Sequence, residues 1–382
     1  MPFYQKKGKV PTKRHTQFRN KKGDLYWEEL ISREGFSGIY SNIYHKKPPT
    51  AVEKIGGFKS IKIKSNQNIH RHYHIKTEKI KLEGNAIKSR YPLFYNSDLI
   101  VYKSHMNQSM DSLFKNGCAD EIIFIHSGIG KFKSNFGNLD LCAGDYLIIP
   151  KGTIWKIDID KKIKALVIES KYPIETPRRY RNNFGQLLEG APFCERDFRL
   201  PKDLKTNDEQ GEFKIISKKQ GVIWEYTHSN HPFDVVGWDG FHYPYAFSIH
   251  DFEPITGRIH MPPPVHQTWE AAGFVVCSFV PRMYDYHPEA IPSPYHHSNI
   301  DSEELLYYVD GDFMSRNNIE KGQITLHPGG IPHGPHPGAY EKSIGKKETG
   351  ELAVMIDPFK PLMITEEALK LEVDDYYKSW IK

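Results

Sequence analysis

One pattern occurs twice in the chain and constrains its fold more than any other feature. Residues 144–155 read GDYLIIPKGTIW, and residues 322–333 read GQITLHPGGIPH. Both place Gly, five residues, Pro, one residue, Gly and two further residues in the same order; the first copy then ends in Trp155 and the second in His333. The Pro-x-Gly step predicts a tight turn, because proline and glycine favour the backbone angles that turns require.

A second landmark lies upstream of each copy. Glu121 precedes Gly128 by seven positions, and Glu304 precedes Gly311 by the same number. Two matched landmarks at similar separations indicate an internal duplication. We therefore predict two small β-barrels of the same build, in each of which a carboxylate-bearing strand turns at a glycine.

Composition and local patterns favour a mainly β fold. The 382 residues include 29 glycines, 26 prolines and 13% aromatic residues, a mixture typical of short strands joined by turns. A second half is expected to start near residue 216, which gives an N-terminal β-domain with an irregular arm (1–215) and a C-terminal domain (216–382). A few helices are expected, the clearest over residues 365–382 at the C-terminus, with Thr365 as its N-cap.

Charge, cysteines and apolar runs argue against several classes of protein. The net charge of +5 is small, and the basic N-terminal arm carries no motif that reads nucleic acid, so no nucleic-acid partner is expected. No signal-peptide core and no apolar run near ~18 residues is found, so no membrane contact is expected. Four scattered cysteines without a CxxC pair predict free thiols, and we expect a cytoplasmic protein.

The landmark spacing resembles that of the cupin family, in which the Glu and His of these motifs bind one metal at the mouth of a barrel. The C-terminal copy also supplies His296 and His297 upstream of its glutamate. The N-terminal copy supplies no such histidine, and Trp155 replaces the histidine of its second motif. The resemblance therefore implies two cupin-like jelly-roll barrels, of which the C-terminal one binds a metal and the N-terminal one is structural.

Three residues of the C-terminal copy are the expected metal ligands: His297, Glu304 and His333. Two imidazoles and one carboxylate with open positions form the facial triad of non-haem Fe(II) enzymes, although Zn(II) can use the same donors. Glu303 is the alternative carboxylate. Adjacent residues of a strand face opposite sides, so only one can serve, and the spacing to Gly311 favours Glu304. Without a metal, the same residues would form an ion pair.

A closer resemblance, to the homogentisate 1,2-dioxygenase family, covers the second half. Its blocks are FDVVGWDGFHYPY (233–245), GRIHMPPPVHQTWE (257–270), FVPR (279–282), YHHSNIDSEE (295–304) and LHPGGIPHGP (326–335). The resemblance implies that O₂ at Fe(II) opens the ring of homogentisate to give maleylacetoacetate, a step of tyrosine and phenylalanine catabolism. It also implies an aromatic acid and O₂ as partners, and a homo-oligomer, a trimer or hexamer.

The same resemblance assigns further roles. It matches His260 to the acid/base residue, with His266 as the alternative base or a substrate-binding residue. It matches His327 to a histidine near the substrate, which would bond a hydroxyl group or orient a metal ligand. Arg282 would hold a carboxylate or form a structural salt bridge. Phe313 stands where the family often has tyrosine, which leaves the ring substituent of the substrate open.

Three other functions remain possible on the sequence. The first is the same chemistry on another dihydroxylated aromatic acid, such as gentisate. The second is a metal-binding protein with two cupin barrels and no catalysis, and the third is a zinc or manganese isomerase. A further histidine group, His70, His72 and His74, alternates along a predicted strand, and we interpret it as an exposed polar face rather than a second metal site.

Overall fold

The computed structural model describes residues 3–66, 68–311, 313 and 319–381. It confirms the expected fold class, mainly β with cupin-like barrels, because the described chain folds mostly into antiparallel strands and its α-helices are short. Within the described residues, no helix is long and apolar enough to cross a membrane.

The elements follow one another in this order. In the first part of the chain the strands are β1 (Gln5–Gly8), β2 (Trp27–Ser32), β3 (Tyr40–His45), β4 (Val52–Ser60), β5 (Tyr73–Ile75), β6 (Glu83–Gly84), β7 (Arg90–Tyr95), β8 (Leu99–Met106), β9 (Leu113–Asn116), β10 (Asp120–Ser134), β11 (Gly137–Leu141), β12 (Asp145–Ile149) and β13 (Ile154–Ser170). They continue with β14 (Phe198–Arg199), β15 (Gln210–Lys219), β16 (Val222–Asn230), β17 (Val235–Gly240), β18 (Tyr245–Ser248), β19 (Gln267–Ala271), β20 (Phe274–Phe279), β21 (Arg282–Met283), β22 (Glu304–Asp310), β23 (Ile324–His327), β24 (Glu348–Thr349), β25 (Leu352–Pro358) and β26 (Met363–Ile364). The α-helices are α1 (Ala339–Ser343) and α2 (Glu366–Leu369), and single 3₁₀ turns span Glu34–Phe36, Thr77–Lys79, Arg178–Tyr180, Glu195–Asp197, Ile249–Asp251, Pro263–His266 and Tyr376–Lys378.

The strand register repeats between the two barrels. In the N-terminal barrel β10 pairs with β12 so that Glu121 faces Ile149. In the C-terminal barrel β22 pairs with β23 so that Glu304 faces His327. Ile149 and His327 are each the residue before the proline of the duplicated motif, so both copies set the glutamate against the same motif position.

Gly128, at an irregularity inside β10, and Gly311, directly after β22, adopt a backbone conformation that other residues rarely take. Gly128 has φ +103° and Gly311 has φ +91°. A Cβ atom on Gly128 would collide with the carbonyl oxygen of Lys162 in the paired strand β13, and one on Gly311 with that of Gly350. Glycine is therefore required at both positions for its φ angle and for the close approach.

The two halves of the chain exchange strands. The C-terminal sheet runs in the order β19-β20-β25-β22-β23-β5, so its last strand comes from the first half. In return, β18 pairs with β12 and β26 pairs with β7 in the N-terminal sheet. The predicted division after residue 215 falls inside β15, and the two-domain division stays a prediction.

The N-terminal arm is more regular than expected. β1, β2 and β3 join β17 in a four-stranded sheet, with β1 and β3 on either side of β17. The partner strand lies about two hundred residues later in the chain, and such a distant partner leaves no local pattern in the arm itself.

The C-terminal helix is shorter than predicted. Thr365 caps it as expected, because its hydroxyl oxygen accepts a hydrogen bond from the Ala368 amide at 3.0 Å, but the helix ends at Leu369. Beyond it the chain runs beside β5, where the Val373 amide donates to the carbonyl of His74 at 2.8 Å. Pairing with β5 thus overrides the helical pattern of the sequence.

Candidate metal centre

Backbone pairing brings two of the predicted ligands together. His297 and His333 form an isolated bridge in which each amide donates to the other's carbonyl, at 2.8 Å and 2.9 Å. Their ring centroids lie 4.3 Å apart. Glu304 is the first residue of β22 and is buried next to them. The bridge fixes the two imidazoles side by side beneath the carboxylate.

The three side chains converge on one point. Oε2 of Glu304 lies 3.5 Å from Nε2 of His297 and 3.4 Å from Nε2 of His333. One ligand atom from each residue lies within 4.8 Å of the others, so the group is compatible with a metal site. Two imidazole nitrogens and one carboxylate oxygen are donors that several divalent transition metals accept.

Backbone carbonyls set the orientation of both imidazoles. Nδ1 of His297 lies 3.2 Å from the carbonyl of Tyr295, and Nδ1 of His333 lies 3.2 Å from that of Ile331. A carbonyl can only accept, so Nδ1 carries the proton in each ring. Nε2 of each ring therefore faces Glu304 and is the nitrogen available to a metal, which binds through the lone pair of a neutral imidazole.

His327 lies behind Glu304 and is fully buried. Its Nδ1 is 2.8 Å from Oε1 of Glu304, and its ring stacks on His333 with centroids 4.6 Å apart. Burial raises the pKa of Glu304, but hydrogen bonds from His297, His327 and His333 outweigh it and keep that pKa well below its ordinary value. The carboxylate is therefore charged. His327 orients it by contacting Oε1, whereas His297 and His333 both contact Oε2.

The rival carboxylate of the sequence, Glu303, is held elsewhere. Its Oε2 accepts a hydrogen bond from the Leu362 amide at 2.7 Å, and burial raises its pKa. The two glutamates thus face opposite sides of the strand, as alternation requires, and only Glu304 faces the histidines.

A cavity of about 410 Å³ opens beside the group and is lined by His297 and Glu304. His260 also lines it; its side chain is half exposed, and Nδ1 is 3.3 Å from Oδ2 of Asp285. His266 lines the inner wall, where burial, and then the charge of Arg282, lower its pKa to about 3. Both candidate bases of the sequence therefore face the same cavity, in different electrostatic settings.

Arg282 and Phe313 differ in their access to this cavity. Arg282 lines it, donates to the carbonyl of Val280 at 3.1 Å, and has no carboxylate within ion-pair distance among the described residues. Phe313 is buried and packs edge-on against Tyr308, with centroids 4.7 Å apart.

The sequence interpretation of the alternating histidines is wrong for two of the three. His72 and His74 are buried, with relative exposures of 6% and 3%, while His70 is exposed. The ring of His72 lies 5.3 Å from that of His327 and 6.0 Å from that of His333. Its side chain comes from the first half of the chain through β5, which pairs with β23, so no local pattern links it to the site.

The C-terminal segment covers the same side of the site. The ring of Trp380 lies 4.9 Å from that of His72, and its Nε1 donates to the carbonyl of Gly334 at 3.0 Å. Gly334 directly follows His333, so Trp380 is tied to the chain that carries this histidine. Sequence reasoning missed both His72 and Trp380.

Comparison with known proteins places the chain in a family. A family model described as homogentisate 1,2-dioxygenase N-terminal matches residues 86–249. A protein of Saccharolobus solfataricus named "Putative dioxygenase SSO1533" is 43% identical over 384 residues, which cover 100% of this chain and 99% of that protein. The chain belongs to the homogentisate 1,2-dioxygenase-like family.

More distant members of the family carry an established name. The homogentisate 1,2-dioxygenase of Drosophila melanogaster is 24% identical over 74% of this chain and 67% of its own length. That of Legionella pneumophila (strain Corby) is 28% identical over 73% of this chain and 70% of its own length. Among solved structures, a cupin 2 conserved barrel domain protein from Leptotrichia buccalis is 10% identical, with a TM-score of 0.35, and covers 79% of this chain and 100% of that protein.

Proposed function

We propose that the protein is a non-haem Fe(II) dioxygenase that opens the ring of homogentisate to give maleylacetoacetate in tyrosine and phenylalanine catabolism. The observation that carries the proposal is the convergence of His297, Glu304 and His333 beside a cavity of about 410 Å³. Membership of the family supports the reaction class. The volume suits a single-ring acid, since ligand cavities start at roughly 300 Å³.

The donor set favours iron as the metal. Two histidines and one carboxylate that leave open positions are the facial triad of Fe(II) oxygenases. Bound there, Fe(II) would supply the redox chemistry with O₂, while the protein supplies binding, orientation and proton transfer.

His260 is the proposed base that takes the proton from a ring hydroxyl group of the substrate. Asp285 accepts from its Nδ1–H, which leaves Nε2 able to accept a proton and stabilises the imidazolium that results. His266, with its pKa lowered to about 3 by burial, resists protonation. We propose that it contacts the substrate as a neutral imidazole instead.

Arg282 is the proposed anchor for the substrate carboxylate. Its guanidinium lines the cavity, and a planar guanidinium can bind a carboxylate through two parallel hydrogen bonds. An anionic aromatic acid would therefore be held at Arg282 while its hydroxyl groups face His260 and the metal ligands.

Gentisate is the second candidate substrate, because the ring substituent is left open: Phe313 cannot donate the hydrogen bond of the tyrosine that the family often has there. A metal-binding protein without catalysis is the remaining alternative, and only turnover separates it from the dioxygenase.

Oxygen uptake by the iron-loaded protein tests the proposal. Homogentisate, gentisate and 3,4-dihydroxyphenylacetate are compared, and the ring-opened chromophore is followed at the same time. We expect uptake with homogentisate above the other two. Uptake with gentisate alone would transfer the assignment to that substrate, and no uptake with any of them would refute the dioxygenase.

Two neighbouring glutamates provide matched variants for this assay. Glu304→Gln removes the charge that faces the histidines, and we expect at least about 100-fold weaker iron binding and loss of oxygen uptake. Mutating a residue that only supports a metal ligand already lowers metal affinity about 10–100-fold. Glu303→Gln changes the adjacent carboxyl, which faces away, and should leave iron binding unchanged. Equal losses in both variants would contradict the assignment of Glu304 as the ligand.

Self-association is also proposed, on the evidence of β4. Every residue of this strand is exposed, and it forms the open edge of its sheet. Ile55 and Phe58 are 67% and 64% exposed. If two copies of the strand pair antiparallel about Gly56, Glu53 of each copy faces Lys59 of the other, a favourable cross-strand pair.

A further inference from the structure

A second carboxyl group, that of Asp357, faces the cavity beside Glu304. Leu305 of β22 pairs with Ile356 of β25, and the amide of Glu303 donates to the carbonyl of Pro358 at 3.0 Å. Glu304 and Asp357 are therefore directly opposed, and opposed residues of antiparallel strands project on the same face. Both line the cavity.

One oxygen of this carboxyl lacks a partner among the residues that the structure describes. Oδ1 of Asp357 is buried and has no hydrogen-bond partner among the described residues. A buried polar atom without a partner costs about 1–3 kcal/mol, so such atoms are rare unless something outside the chain satisfies them.

The N-terminal barrel provides an internal comparison. There Glu121, the counterpart of Glu304, is opposed to Glu169. Glu169 is fully engaged: it bonds Arg90 at 2.7 Å, Tyr102 at 3.3 Å and also Lys218. The same strand position thus carries a carboxyl in both barrels, and the chain satisfies it only in the barrel whose interior is filled by side chains.

We propose that Asp357 is a ligand-binding residue whose carboxyl forms a hydrogen bond with a hydroxyl group held in the cavity beside Glu304. Water supplies this hydroxyl group in the resting site, and the ring hydroxyl of the aromatic acid replaces it in the complex. The identity of the acid rests on the proposed function, whereas the hydrogen bond rests on the opposed carboxyls and the unsatisfied oxygen.

Binding measurements without turnover test this assignment. Co(II) replaces iron under anaerobic conditions, and dissociation constants are measured for Co(II), for homogentisate and for phenylacetate, which has the same carboxylate without ring hydroxyl groups. The variants are Asp357→Asn, which keeps a polar side chain of the same shape, and Asp357→Leu, which does not. Met355→Leu is the control, because Met355 lines the same cavity from the same strand without a polar group.

We expect Asp357→Leu to weaken homogentisate binding about tenfold, the loss typical of one such hydrogen bond, and to leave phenylacetate binding unchanged. Asp357→Asn should stay within about threefold of wild type. Thermal unfolding of the metal-free variants checks that each of them folds.

The other outcomes of these binding measurements also decide for or against the hydrogen bond. A loss confined to Co(II) binding would make Asp357 a metal-binding residue and would overturn the hydrogen bond to a hydroxyl group. Equal losses for homogentisate and phenylacetate, or no loss for any ligand, overturn it. If wild-type protein binds no dihydroxylated acid, the proposed function fails, and binding of phenol against toluene, measured in the same variants, then decides for or against Asp357.

Discussion

Arg90 contacts Glu121 in the N-terminal barrel as the histidines contact Glu304 in the C-terminal barrel. Its removal tests whether this buried ion pair stabilises the N-terminal barrel. Its Nη1 lies 2.7 Å from Oε1 of Glu121 and 2.7 Å from Oε1 of Glu169. All three side chains are at most 7% exposed. Arg90→Met would leave Glu121 with no cation at ion-pair distance among the described residues, and Glu169 with Lys218 alone.

The expected cost follows from this geometry. Removing one partner of a buried ion pair costs about 3–5 kcal/mol, because the remaining charge stays buried and uncompensated. Urea unfolding of Arg90→Met should show this loss. Lys131→Met is the matched control, since Lys131 and Asp140 form an exposed pair at 3.4 Å that should contribute less than about 1 kcal/mol.

A double-mutant cycle separates the ion pair from simple loss of packing. Glu121→Gln in the Arg90→Met background removes the uncompensated charge and should recover part of the loss, with a coupling energy above about 1 kcal/mol. An Arg90→Met protein that loses no more stability than Lys131→Met, or a cycle without coupling, would refute the argument.

Three further predictions concern other parts of the chain. Burial lowers the pKa of His45, but hydrogen bonds to Asp234 at 2.6 Å and to Glu29 outweigh it and raise that pKa to about 9. The protonated imidazole should therefore contribute up to roughly 3 kcal/mol to the free energy of unfolding below pH 6.5, and this contribution should be lost as the pH rises through 9. Unfolding curves of His45→Gln should lack this pH dependence. Burial lowers the pKa of Lys103 to about 7, so the free energy of unfolding should fall as the pH drops from about 10.5 to 7. At pH 6, Lys103→Met should unfold at a higher denaturant concentration than wild type, although it loses the hydrogen bond to Tyr307. Phe58→Lys on the open edge of β4 should lower the oligomeric state measured by light scattering, and an unchanged mass would exclude β4 as the contact.

The sequence predicts the parts of the fold that repeat or that depend on neighbouring residues. The duplicated spacing indicates the register that sets Glu121 and Glu304 at the same strand position, and alternation separates Glu303 from Glu304. The N-cap at Thr365 is also local, and it forms as expected.

The remaining features depend on contacts between distant segments. His72 enters the C-terminal sheet through β5, and Trp380 reaches it from beyond a helix that stops early because Val373 pairs with His74. Arg90 likewise lies on a strand with no motif of its own, although it is the partner of Glu121. Such pairings are set by the packed core and leave no periodic signal in the sequence.

The two barrels share one arrangement of opposed carboxyl groups but surround it with different side chains. Each opposes two carboxyl side chains on adjacent strands, and like charges so placed repel unless a cation or a proton intervenes. In the N-terminal barrel the guanidinium of Arg90 lies between them, and Trp155 fills the position that corresponds to His333, so the interior is closed. In the C-terminal barrel three imidazoles surround Glu304, and Asp357 faces a cavity. A cation held by His297, Glu304 and His333 would there balance the charge of Glu304, as Arg90 balances that of Glu121.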